Sequence, residues 1–287
     1  MPLVSVSHWK TRYTFPVTLR AEILMTEKRL YSSDLGNKTS LIPESERVLI
    51  EYNHVDSAAM VRKLVVDDNL LLKSTVSTRK RVWESIYARY FSSKNTTVTH
   101  TLARFVNSPL PGQARYLAMF YEMATALPLI YDLTTDCLYT LYQNGRSTIN
   151  KADILDWLNQ AVNNGHNEIN GWSPQTKSKI ASNYLTIARD FGLLEGKKNK
   201  SFARLYLPIA TFVYVLYRLK DEGLNNKAIV TTPDFKLFLL EQRDVFLLLE
   251  EATRAGYITF QQAGDIYSLA FQYQDLNEVI DELTRKI

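Results

Sequence analysis

The chain holds a single cysteine, Cys137, so neither an internal disulfide nor a cysteine-rich metal cluster can form. Its setting, LTTDCLYTLY, reads as a packed helix, which makes Cys137 a buried inert thiol rather than a nucleophile. Histidine is nearly as scarce. His8, His54, His100 and His166 lie far apart with no i, i+4 pair, so no zinc site is expected. Ten Gly and nine Pro are few for 287 residues and argue against long flexible linkers. No run approaches the ~18–20 apolar residues of a membrane helix; the best, residues 209–216, stops at Tyr217-Arg218. The start, MPLVSVSHWKTRYTF, has no long apolar core after a basic run and so is not a signal peptide. A cytoplasmic protein is expected.

A catalytic constellation is missing as well. Residues 192–198, GLLEGKK, have the wrong glycine spacing for a phosphate loop, carry no Ser or Thr after the lysine, and follow a helix instead of a strand. Asp190 with Glu195-Gly196-Lys197 matches the acid, acid-x-Lys pattern of metal-dependent nucleases, but a helix end beside Gly is the wrong scaffold. The expectation is a protein that is not an enzyme and needs no metal or cofactor.

What is present is an ordinary globular composition, 46% hydrophobic and 22% charged, with room for a large core. The formal net charge of +4 is modest, yet it is unevenly spread. Residues 62–94 carry eight cations against three acids, and residues 177–204 carry seven against two. From residue 221 onward twelve acids face six cations. Two basic islands and an acidic tail form the footprint expected where part of a surface meets nucleic acid.

The first island centres on residues 70–94. Ser77 and Thr78 can each cap a helix. Val82, Ile86 and Tyr90 fall at i, i+4, i+8, with Trp83, Tyr87 and Phe91 alongside, giving one broad apolar face. That spacing places Arg79, Lys80 and Arg81 in the first turn, at the positive end of the helix dipole. Cations there are unfavourable for the helix alone, by roughly 0.3–1 kcal/mol each, and favourable once a phosphate docks on the free N–H groups. Lys73, Arg89 and Lys94 extend the patch.

Along the chain, residues 1–145 read as an N-terminal helical domain. Helices are expected over 19–30, 44–52, from Ser57 onward, over 113–127 and over 129–142, with Pro128 ending or kinking the fourth; residues 92–111, polar and Thr-rich with Pro109 and Pro111, read as a connection. Residues 146–220 change character. Asn150 can cap a helix over 151–162, and Ser173-Pro174 starts a second that runs to Phe191 and stops at Gly192. A lysine-loaded turn over 195–200 and a strand over 202–207 follow. Helix, loop, helix, Gly-Leu-Leu, basic turn and strand is the order of a winged helix-turn-helix, whose second helix enters the major groove while the wing lies along the backbone. Gln175, Ser178, Lys179, Ser182 and Thr186 line the side of that helix opposite the buried row and suit base edges or phosphates. Lys177, Lys197, Lys198, Lys200 and Arg204 would meet phosphates. The same order also occurs in winged helices that bind only proteins.

Residues 221–287 hold a fainter echo. Ala252-Thr253-Arg254-Ala255-Gly256-Tyr257-Ile258 parallels Ala188-Arg189-Asp190-Phe191-Gly192-Leu193-Leu194, again after a helix and before a hairpin turning at Gly264-Asp265. With no lysine in that turn, this acidic module is expected to dock a partner. The expected fold class is mainly α: an N-terminal helical domain, then winged helix-turn-helix-like modules with small β-hairpins.

Asn69-Leu70-Leu71 leading to Ser77-Thr78-Arg79-Lys80-Arg81, Arg89 further along that helix, and the run from Trp172-Ser173 to Gly192-Leu193-Leu194 resemble the BrxA family of bacteriophage exclusion (BREX) phage-defence systems. The resemblance covers roughly residues 60–210. It implies a bacterial cytoplasmic, non-enzymatic, all-helical accessory protein that binds DNA beside a methyltransferase and large ATPase partners, with no catalytic residues to carry over. With two basic islands to meet phosphates, double-stranded DNA is the first reading. The family's fold has also been likened to the antitermination factor NusB, which makes RNA a competing ligand. A protein-docking adaptor, joined to other BREX proteins through the acidic module, is the third reading.

Overall fold

The computed structural model describes residues 30–37, 39–92 and 96–286. The helix expected over 19–30 lies outside them except for Leu30, as do His8 and Lys94. Among the described residues the fold is mainly helical, with strands only in two small antiparallel sheets.

Helix α1 (Ile42–Val55) begins after Leu41 and ends at Asp56, both in left-handed backbone. Ser57 Oγ accepts the Met60 N–H at 3.3 Å and opens α2 (Ala58–Val66). Helix α3 (Val76–Tyr90) is the basic helix. Its cap is Thr75, whose Oγ1 accepts the Thr78 N–H at 3.1 Å, rather than Ser77 or Thr78. The helix thus starts earlier than expected, and Arg79, Lys80 and Arg81 stand in its second turn, where the dipole acts weakly. Of the expected apolar face, Trp83, Ile86, Tyr90 and Phe91 are buried and Val82 half-buried, but Tyr87 is 43% exposed.

Helix α4 (Thr96–Val106) corrects the connection expected over 92–111: Leu102, Ala103, Phe105 and Val106 are buried in the core, which holds the Thr-rich stretch helical; the largely buried α5 (Gly112–Ala126) follows. Pro128 breaks α5, and the next helix runs as α6 (Pro128–Asp132), a π-turn (Leu133–Leu138) and α7 (Tyr139–Gln143). Cys137 sits in the π-turn, 5% exposed, and burial pushes its thiol up to about 12, so it stays protonated.

Strand β1 (Thr148–Ile149) leads into α8 (Lys151–Asn163), which Asn150 and Asp153 close with a reciprocal capping box. Helix α9 (Pro174–Asp190) has Ser173 as cap, accepting the Thr176 N–H at 3.1 Å, and Pro174 in its first turn. Gly192, at φ 83°, then turns the chain into β2 (Leu194–Glu195) and β3 (Lys200–Phe202). The three strands pair antiparallel in the order β1-β3-β2, with Thr148 opposite Ser201 and Leu194 opposite Phe202. The strand expected over 202–207 is corrected. Both neighbours of β3 are two residues long, so the strand ends at Phe202; one further bond runs from the Ala203 N–H to the Leu193 carbonyl at 3.1 Å, and a turn from the Leu205 N–H to the Ala203 carbonyl follows.

Helix α10 (Ile209–Asp221) is buried on nearly every side. After it come α11 (Asn226–Val230), a 3-10 turn (Pro233–Phe238), α12 (Gln242–Arg254), the hairpin β4 (Ile258–Ala263) with β5 (Ile266–Phe271), and α13 (Leu276–Arg285). The hairpin turns at Gly264-Asp265, as read. One contiguous cluster of buried residues runs from Tyr31 to Leu283. A buried ion pair crosses its centre: Arg218 Nε to Glu122 Oε1 at 2.8 Å, with the Tyr214 hydroxyl donating to the same oxygen at 2.8 Å. Among the described residues no helix is long and apolar enough to cross a membrane.

Candidate nucleic-acid interface

The basic side chains divide into those committed to the fold and those facing solvent. Arg79 is committed. Its Nη1 donates to the carbonyls of Val66 at 3.0 Å and Asp67 at 3.4 Å, and its Nε to that of Lys73 at 3.4 Å, so the guanidinium clamps the loop between α2 and α3. Lys73 pairs with Glu44 at 2.7 Å. Arg89 is only 2% exposed. It donates to the carbonyls of Ser40 and Thr39, each at 2.6 Å, and burial pulls its pKa down. Lys200 is 9% exposed, with Nζ donating to the Lys197 carbonyl at 3.0 Å; burial, then Arg189, lowers its pKa. Lys73, Arg79, Arg89 and Lys200, expected on a docking surface, are therefore structural cations, because each neutralises carbonyl or carboxylate oxygens that folding would otherwise strand.

The solvent-facing set is smaller. Lys80 and Arg81 are exposed on α3, as are Ser77 and Thr78 before them. On α9, Gln175, Lys179 and Ser182 are exposed, while Lys177, Ser178 and Thr186 are half-buried. Ser182 and Thr186 donate back to the carbonyls of Ser178 and Ser182, at 3.0 and 2.9 Å, so their hydroxyl protons are used within the helix and their oxygens keep acceptor capacity. Lys197, Lys198 and Arg204 are exposed beyond the helix. Gly196, at φ 87°, makes the turn that carries the two lysines. A Cβ there would lie 2.2 Å from the Asn199 carbonyl oxygen, so only glycine fits. Lys80, Arg81, Lys177, Lys179, Lys197, Lys198 and Arg204 pair with no carboxylate among the described residues.

The two islands meet at residues 39–40. Arg89 holds the Ser40 carbonyl, and the Ser40 hydroxyl donates to Asp190 Oδ2 at 2.6 Å, next to the pair between Arg189 and Asp190. The cations at this junction are spent on the fold. Lys80 and Arg81 stand at the opposite end of α3, eight or nine residues away and so about 12–14 Å along the axis. The accessible charge forms two patches, one on α3 and one on α9 with its following turn.

Three features escape a reading of the sequence. Lys151, first residue of α8, donates to Ser178 Oγ and adds a cation to the α9 face. The 3-10 turn Ser33–Asn37 lies against one flank of α9, held by a 2.8 Å bond from Asn183 Nδ2 to the Leu35 carbonyl. The third is the burial of Arg89, and it alone had a signal. Val82, Ile86 and Arg89 fall at i, i+4, i+7, which puts Arg89 on the apolar side of α3.

Comparison with known proteins adds two findings. A family model described as BrxA matches residues 29–217. A crystal structure of an uncharacterized protein from Magnetospirillum magneticum shares the fold at a TM-score of 0.56 and 16% identity, covering 68% of this chain and 96% of that one. No curated protein matches the chain.

Proposed function

The chain belongs to the BrxA family, and from that premise we propose that it is a non-enzymatic, double-stranded-DNA-binding accessory protein of a bacterial BREX phage-defence system. Family membership supports the BREX association. The DNA reading is carried by one observation: Lys179, Lys197 and Lys198 stand exposed and without carboxylate partners on a helix and the turn that follows it. The order β1, α8, α9, β2, β3, with β3 central, is that of a winged helix-turn-helix, and it supports laying α9 in the major groove with Gln175 and Ser182 near base edges. Lys151, Lys177, Lys197, Lys198 and Arg204 would then neutralise phosphates, and the released counterions supply affinity in any sequence.

The acidic unit supports a second role, docking of other BREX proteins. Tyr206, 63% exposed, and Leu247, 56% exposed, line a groove of about 330 Å³ between residues 203–207 and α12, with Asp244 and Glu251 at its side.

Fluorescence anisotropy with labelled duplex DNA, single-stranded DNA and duplex RNA across a salt series tests the reading. Duplex DNA should bind tightest, with a log–log salt slope of about −0.9 per phosphate neutralised. Salt-independent binding, or a preference for RNA, contradicts it.

A further inference from the structure

The loop between α2 and α3 does something the fold does not need. Of three successive leucines, Leu70 and Leu71 are half-buried and pack on the core. Leu72 is 87% exposed, the most exposed large hydrophobic side chain among the described residues. It is turned outward by a left-handed backbone, φ 51°, three residues after Asn69 at φ 57°. That conformation is unfavourable for a branched side chain, and glycine would adopt it freely. Leucine at this position therefore gives the fold nothing and exposes apolar surface.

The loop is nevertheless held firmly. Arg79 bridges the carbonyls of Val66, Asp67 and Lys73 across it. Asn69 Oδ1 accepts the Lys73 N–H at 2.8 Å, the Leu72 N–H bonds the Asn69 carbonyl at 2.9 Å, and Lys73 is anchored to Glu44. Val76, 50% exposed, opens the helix four residues on, and Lys80 and Arg81 follow on its exposed face. Lys73 and Arg79 are taken by the fold, but Arg62, Lys63, Lys80 and Arg81 are exposed within residues 62–81, against Asp67 and Asp68. A rigid apolar point set among cations suits a polyanion with an apolar interior that can be opened. Duplex DNA is such a partner: its phosphates meet the cations, and its base steps admit an aliphatic side chain at the cost of unstacking.

We propose that Leu72 is a wedge that enters a base-pair step of bound duplex DNA and kinks it, while Lys80 and Arg81 hold the flanking phosphates. The inference rests on the duplex-binding reading and adds a deformation to it. Pyrimidine–purine steps such as TA unstack most readily, so they are where the wedge enters.

The test uses the full chain and an end-labelled duplex of about 20–30 base pairs with a central TA step, followed by end-to-end energy transfer. A second duplex carries 2-aminopurine beside that step. Wild type should raise energy transfer and brighten the 2-aminopurine. Leu72→Ala and Leu72→Gly should abolish both signals. They should keep the salt slope of binding and lose no more than about tenfold in affinity, since burial of leucine and unstacking largely offset. Leu72→Gly should also raise Tm, which shows that the loop is intact. Variants that bend the duplex as wild type does, or wild type that binds duplex with neither optical change, overturn the wedge. If wild type shows no salt-dependent duplex binding at all, the functional reading has failed and the wedge falls with it.

Discussion

Two units of this molecule share a local plan and differ in what they present. In one, α9 ends at Gly192, and the Leu193 N–H bonds the Ala188 carbonyl at 2.8 Å. In the other, α12 ends at Gly256, and the Tyr257 N–H bonds the Ala252 carbonyl at 3.0 Å. Both glycines have positive φ, 83° and 78°, and both helices feed an antiparallel hairpin. The outward chemistry diverges. The first unit shows Gln175, Lys179 and Ser182, with Lys197 and Lys198 on its turn; the second shows Glu241, Leu247 and Glu250, with Asp265 on its turn. On the proposed reading the two units put a similar scaffold before a polyanion and before a protein partner, and the side chains, not the topology, would select between them.

The largest effect separates how the units are anchored. Helix α10, which leads into the second unit, carries Arg218, neutralised by Glu122 of α5 deep in the core. Arg218→Met should cost about 3–5 kcal/mol, because it leaves Glu122 buried without its cation. Thermal unfolding measures this, and a loss comparable to that of an exposed pair would show the anchor to be dispensable. Next come the shared helix ends. A Cβ at Gly192 or Gly256 meets nothing within 4 Å, so Gly192→Ala and Gly256→Ala each carry only the cost of a left-handed L-residue, about 1–2 kcal/mol. Equal losses in chemical denaturation sharpen the parallel; unequal ones break it.

The helices were legible wherever pattern and punctuation agreed. Asn150, Ser173-Pro174, Gly192 and the Gly264-Asp265 turn each mark a boundary by local chemistry, and the structure keeps all of them. What escaped was set by distant partners. Strand β1 is two residues long and exists because Ser201 and Lys200 lie opposite it, which no local signal announces. The basic patch divides in the same way. Lys80 and Lys197 are exposed as read, but Arg79, Arg89, Lys73 and Lys200 are taken by carbonyls and by Glu44, groups that folding brings from up to 50 residues away. A cation count shows that charge is present. Only packing shows which cations are free.

The division also fixes which variants inform. Reversing Arg79 would dismantle the loop it clamps, so it says nothing clean about phosphates, whereas Lys80 and Arg81 are exposed. On the α9 side the decisive measurement is the salt dependence of duplex DNA binding for wild type, for Lys179→Glu with Lys197→Glu and Lys198→Glu, and for Glu250→Lys with Asp265→Lys in the acidic unit. The account predicts that the first variant weakens binding and flattens the log–log slope by about 0.9 for each phosphate no longer neutralised, while the second leaves the slope unchanged. A basic-unit variant that binds duplex with the affinity and slope of wild type would contradict it.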